Sequence, residues 1–270
     1  MTDTTEKPGP IWVDADEYCR RTLLGGAPIP WADSGELASF VSRSAALTRT
    51  DAVLIDLGAA WSSRLADPVV LAAMARQTRR ARPLRALLDD PTGRALIVDV
   101  LSTAAAAARV PVVITLPAPG RWARLAAVAA RLDDQPSGDD TAEAAAMYIA
   151  ASLGDLSGQD IAALVVDEGR TATEDLPDPA AYGPIANAAD HAGWPVVVRT
   201  DGAPCWSRGP SPAVATWIGA TPPDEAHGDW GLVGDLSNAV PDGSPAAPRI
   251  VRIPSHADPG DVTATVRSWK

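Results

Sequence analysis

Short apolar runs recur along the chain and alternate with longer stretches of helical composition. Seven of them read as strands: Asp51–Leu57, Pro111–Leu116, Ile161–Gly169, Trp194–Thr200, Val214–Gly219, Trp230–Asp235 and Arg249–Ile253. The clearest is Ile161-Ala-Ala-Leu-Val-Val-Asp-Glu-Gly169, whose opening six apolar residues are too few for a buried helix and suit a strand covered on both faces. Between the runs, the pattern predicts helices at Asp14–Leu24, from Asp33 or Ser34 to about Thr48, at Asp67–Arg82, Arg94–Arg109, Trp122–Leu132, Ala142–Leu153 and Pro179–His191, with a last one ending near Trp269. Asp140-Thr-Ala-Glu143 has the spacing of a capping box, with Asp in place of Ser or Thr. Alternation of strand and helix implies a mainly parallel sheet. The expected fold is α/β: residues 1–10 as a disordered lead, then one domain over 11–270 built as a (β/α)8-like barrel, degenerate where the late units shorten. An open doubly wound sheet is the second choice.

Composition narrows the chemistry. A net charge of −11 disfavours nucleic acid and anionic membrane as partners, since both require a basic footprint. No apolar run approaches the ~20 residues that span a bilayer. Lysine occurs only at Lys7 and Lys270, in the two tails, so a Schiff-base mechanism lacks its desolvated interior lysine. No phosphate-binding P-loop or Gly-x-Gly-x-x-Gly follows a strand. Two cysteines, Cys19 and Cys205, supply no disulfide framework, and a cytoplasmic location is expected. Arg76, Arg79, Arg80 and Arg82 form the densest positive patch, most simply a solvated helix face.

In parallel α/β folds, ligands bind at the C-terminal ends of the strands. Asp167 and Glu168 end the clearest strand and are the first catalytic candidates, with Asp201 beyond the next one. Asp56, Thr115, Arg199 and Asp235 stand at other strand ends, with Trp61 close behind, and are the candidates for substrate binding. Crowded carboxylates raise one another's pKa and so provide a general acid or base. Arg199 either grips a substrate anion bidentately or neutralises a neighbouring Asp as a buried ion pair.

The stretch Val112-Val-Ile-Thr-Leu-Pro-Ala-Pro-Gly120, the unit from Ala142 to Glu168, and the helix and strand from Tyr182 to Thr200 together resemble the cobalamin-independent methionine synthase and uroporphyrinogen decarboxylase barrel superfamily. The resemblance covers about residues 110–200, and more loosely 51–270. It implies a barrel with a carboxylate-lined mouth, Asp167 and Glu168 matching the substrate-contacting acids, although Gly169 replaces the proline usual after them. In the methionine synthase branch, zinc activates a thiol and the strand corresponding to 195–200 ends in His-x-Cys. Here that site reads Arg199-Thr200-Asp201, and a guanidinium cannot ligate zinc. No cofactor is expected; zinc stays open only through Cys205 and His256, with Glu225 or His227 as companions. The decarboxylase branch needs no metal, but its N-terminal arginine-rich signature is missing.

Three functions follow: an alkyl- or one-carbon-transfer enzyme of the methionine-synthase type, a metal-independent decarboxylase or lyase, and a non-catalytic accessory barrel. The last is favoured by the missing zinc ligands, the shortened late units and nine tryptophans, a residue enriched at interfaces. The partner is correspondingly a small molecule at the barrel mouth or another protein, and an oligomer stays open.

Overall fold

The computed structural model describes residues 9–132, 138–169, 179–200, 216–219, 229–235 and 248–268, and for 179–180, 216–219 and 229–235 the backbone alone. Within these residues the order is β1 (Ile11–Asp14), α1 (Asp16–Leu24), α2 (Ser34–Thr48), β2 (Val53–Asp56), α3 (Leu57–Ser62), α4 (Pro68–Ala75), α5 (Arg82–Leu88), α6 (Pro91–Ala108) and β3 (Val112–Pro117). There follow α7 (Pro119–Ala129), α8 (Asp139–Gly154), β4 (Ala163–Asp167), α9 (Gly183–Ala192), β5 (Val196–Arg199), β6 (Thr216–Gly219), β7 (Asp229–Asp235), β8 (Arg249–Arg252) and α10 (Pro259–Ser268).

Aspartates punctuate the chain. Asp33, Asp56, Asp67 and Asp90 each sit at a helix N-cap and accept the backbone N–H of Glu36, Ala59, Val69 and Gly93, satisfying donors that the first turn leaves orphaned. Pro68 and Pro91 follow two of these caps at the helix start, where proline's missing N–H costs nothing. Asp56 thus has two duties, as the last residue of β2 and the cap of α3.

The eight strands form one parallel sheet in the order β1-β8-β7-β6-β5-β4-β3-β2. The two strands at the ends of that order also meet. Trp12 and Ala52 form a parallel bridge, the Asp51 N–H donates to the Ile11 carbonyl at 3.0 Å, and the Val13 N–H donates to the Thr50 hydroxyl at 3.1 Å.

Strand residues divide by parity. Val53, Ile55, Val112, Ile114, Leu164, Val166, Val196 and Val198 belong to the main core, packed with the helices. Their neighbours Trp12, Ala52, Val113, Ala163, Val165, Val197 and Ile250 form a separate cluster joined only by half-buried Leu54. Successive side chains of a strand point to opposite faces, so this second cluster is the packing of the sheet face turned away from the helices.

Several sequence expectations change here. Ile11–Asp14 is an eighth strand, where the pattern gave only the lead-in to a helix and made Asp14 its cap. Strand β1 leads directly into the acidic first turn of α1, and four residues are too few to show an alternation. The helix expected over Asp67–Arg82 stops at Ala75 as α4, and a separate helix the pattern did not give, α5, begins at Arg82. The capping box at Asp140 is absent: α8 begins at Asp139, with Gly138 at the cap and no side-chain cap bond. Residues 1–8 of the expected lead and Asp201–Ala215 lie outside the described residues.

Candidate site at the strand ends

The last residue of most strands carries the polarity. Asp14, Leu54's successor Asp56, Thr115, Asp167, Arg199 and Arg252 each lie two residues beyond a member of the apolar cluster, on the same face. An apolar floor therefore carries a charged layer. Register sets Asp167 beside Arg199, Asp56 beside Thr115 and Asp14 beside Arg252. Asp235 is the backbone partner of Arg252 on its other side, and its side chain lies outside the described residues.

Arg199 ties the layer together. Its Nε and Nη2 donate to the two oxygens of Asp167 at 3.2 and 3.0 Å, and Nη1 donates to Asp14 Oδ2 at 2.6 Å. Arg121 Nη1 donates to Asp167 Oδ2 at 2.9 Å, and the Gly169 N–H to Oδ1 at 3.0 Å. Each oxygen of Asp167 thus accepts twice, which uses the carboxylate's acceptor capacity. Burial alone would raise the Asp167 pKa, but Arg199 and then Arg121 outweigh it and hold it below the ordinary value. Burial likewise opposes the Arg199 charge, and Asp14 and Asp167 overcome it, raising its pKa. At Asp167 and Arg199, two sequence candidates meet, and each occupies the other.

Glu168 goes the opposite way. It follows Asp167 directly, so its side chain leaves by the other face, where it is 7% exposed and accepts a hydrogen bond from the buried Tyr182 hydroxyl. Burial, and secondarily Asp167, push its pKa up to about 8. It lines neither cavity described below.

Protonatable carboxyls at the mouth come instead from Asp56 and from Asp16, on the first turn of α1. Burial raises the Asp56 pKa against the lowering by the Ala59 N–H. Half-buried Asp16 is pushed up to about 8 by burial first, then by Asp14 and Asp56. Two adjoining cavities open here. One, of about 670 Å³, is lined by Asp14, Asp16, Asp56, Arg20, Trp31 and Arg252 among others. The second, of about 380 Å³, reaches Thr115, Arg121, Asp167 and Arg199. Asp14, Asp16, Asp56 and Ala59 line both, so these four residues form the partition between the lobes.

The sequence candidates separate accordingly. Asp56, Thr115, Asp167 and Arg199 come together in the second lobe. Trp61 does not: it is 3% exposed and packs against Gly93, where an added Cβ would overlap its ring. His256 is exposed on the turn after β8. Asp201, Cys205, Glu225 and His227 lie outside the described residues. Among the described residues no group of three or more His, Cys, Asp or Glu is arranged to hold a metal ion. Where the resemblance calls for a histidine ligand stands Arg199, a cation already engaged and unable to ligate zinc.

Sequence reading missed Asp14, Asp16, Arg121 and Arg252 as site residues. Arg252 had a usable signal, since it ends a short apolar run two residues past an inward-facing one, whereas Asp14 closes a run too short to show an alternation and leads straight into α1. Arg121 and Asp16 had none, because they are helical residues delivered to the mouth by the fold. No protein-family model matches the chain, and no curated protein sequence matches it significantly.

Proposed function

We propose that the chain is a single α/β domain over residues 11–270, that its strands close as a (β/α)8 barrel, and that it is an enzyme acting on a small molecule at the barrel mouth with Asp16 as general acid. Closure is supported by the bridge between β1 and β2 and by the apolar cluster on the face away from the helices. The observation that carries the function is the placement of Asp16 on the partition between two cavities, beside a fixed Asp14–Arg199–Asp167 frame. A carboxyl that keeps its proton to about 8 and faces open space is matched to donating it near neutral pH. Asp167, paired with Arg199 and Arg121, stays ionised and opposes loss of that geometry.

This reading suits a lyase or decarboxylase, in which a protonated group delivers its proton to the carbanion or leaving group. It is the superfamily branch that the residues favour; alkyl transfer would need a thiol activator that Arg199 does not supply. A non-catalytic barrel remains the second reading, supported by the mutual occupation of Asp167 and Arg199. The expected location is a reducing compartment.

Dicyclohexylcarbodiimide tests the proposal, because it reacts with carboxylic acids that are both protonated and reachable. At pH 7, peptide mapping should find Asp16 labelled and Asp167 unlabelled, with Glu168 protected by its burial. Asp16→Asn should remove the label and keep the circular dichroism spectrum. Labelling of Asp16 only below about pH 5, in the ordinary carboxylate range, would remove the general acid and favour the non-catalytic reading.

A further inference from the structure

The larger lobe has two kinds of lining. Ile29, Trp31 and Pro254 are apolar, and Asp14, Glu17, Arg20 and Arg252 are charged, with Asp16 and Asp56 at the partition. The charges of these four are matched, and burial pushes the two remaining carboxyls of the lobe, Asp16 and Asp56, toward their neutral forms. Arg20 donates to Glu17 at 2.8 Å, and Arg252 Nε lies 3.7 Å from Asp14 Oδ2, itself bound by Arg199. A ligand carrying net charge of either sign would meet a like charge beside every opposite one. The charged lining nevertheless offers planar carboxyl and guanidinium edges, able to accept and donate in pairs.

The apolar lining is also built in advance. The connection from α1 to α2 is fastened by Arg20 to the Gly26 carbonyl, by the Trp31 N–H to Ile29 at 2.9 Å, and by the Asp33 N–H to Pro30 at 3.1 Å. A surface held before the ligand arrives loses little entropy on binding. A lobe whose lining combines aromatic and aliphatic surface with paired donors and acceptors suits a ring with apolar C–H faces and a rim of hydroxyls.

We infer that the larger lobe binds an uncharged, polyhydroxylated ring, the chemistry of a neutral sugar, with the ring over Trp31 and Ile29 and the hydroxyls on the Asp14–Arg252 side. The inference rests on the mouth being a small-molecule site, and it adds the class of ligand. With Asp16 protonated, the lobe gains a further neutral donor at the partition.

The test uses the full chain and a matched set of pyranoses: glucose, galactose, mannose and xylose as neutral probes, glucuronate as the anion and glucosamine as the cation. Saturation-transfer NMR and calorimetry should show saturable binding of at least one neutral sugar, with the charged counterparts weaker. Trp31→Ala should weaken that binding by about tenfold or more, the loss of one ring contact of about 1.4 kcal/mol. Ile29→Glu, at a half-buried position, provides the second variant should Trp31→Ala unfold, and it should weaken binding likewise. Preference for glucuronate or glucosamine over every neutral sugar would overturn the inference. So would the absence of saturable binding, or binding indifferent to both variants. Because carbodiimide labelling of Asp16 is read without any sugar, loss of the ligand class and loss of the general acid remain distinguishable.

Discussion

Asp167 and Glu168 are neighbours in sequence and opposites in environment. The first faces the mouth, where two arginines hold its carboxylate ionised; the second leaves by the helix side, where burial holds its carboxyl protonated. Nothing distinguishes the two residue types chemically by more than a methylene. The difference comes from the pleat, which sends consecutive side chains to opposite faces of the sheet. The lesson is that adjacent acids at a strand end are two sites rather than one pair.

The strongest way to break the comparison is to remove the cation. Arg199→Met should strand Asp14 and Asp167 with their charges half-buried, and a cost of about 3–5 kcal/mol is expected in urea denaturation at pH 7. The Asp167 pKa should rise at the same time. A loss below 1 kcal/mol would mean that Asp14 and Asp167 do not depend on Arg199.

The second effect is a pH dependence of opposite sign on the two faces. In the unfolded chain Glu168 loses its proton near the ordinary glutamate value of about 4.3, whereas in the folded protein it keeps it to about 8. Between those limits the folded state binds more protons, so the stability contributed by this group falls as pH rises. Glu168→Gln should flatten that fall, leaving the variant a few kcal/mol more stable than the parent at pH 8.5 and little changed at pH 4.5. Asp16 contributes a slope of the same sign, so some fall should persist in the variant. Asp167, with its lowered pKa, works the other way: its contribution is present above the ordinary aspartate value and is lost as pH drops below it. Parallel stability curves for parent and variant across this range would contradict a protonated Glu168.

Smallest of the three is Arg121→Met. The Arg121 side chain is 35% exposed, so its pair with Asp167 is screened, and a loss of about 1 kcal/mol or less is expected. Thermal denaturation at low and high salt measures it, and the difference between the proteins should shrink as salt rises. If Arg121→Met instead matched Arg199→Met, the buried and half-exposed cations would be equivalent partners of Asp167.

Much of this frame was legible in the sequence, and the gaps have physical causes. The strand ending in Asp167 announced itself because a continuous apolar run of that length has few other uses. Asp56 and Arg199 were recognised for the same reason, each closing an apolar run, and Thr115 for standing near the end of another. Ile11–Asp14 escaped because its run is four residues long and its partners β8 and β2 are supplied by distant parts of the chain. With it went Asp14, which a local reading could only make a helix cap. Glu168 was recognised as important but assigned to the mouth, although parity with Asp167 was available from the sequence alone. Trp61 stood near a strand end, yet Gly93 at the start of α6 leaves a gap that the ring fills. Asp16 and Arg121 depend on where a helix is set down, which no pattern of neighbours encodes.

Strand β1 is paired with β8 and bridged to β2, so its two neighbours lie 40 and some 240 positions away. During synthesis, β1 must wait for β8, which emerges much later. Until Arg249–Arg252 is made, Asp14 has neither its strand partner nor its nearby Arg252, although Arg199 is already there to hold it. The nascent chain therefore carries a half-assembled charge layer with one flank open, and the larger cavity lacks part of its lining until β8 is made. Contacts this distant in sequence slow folding, and they tie the appearance of ligand binding to the docking of β8.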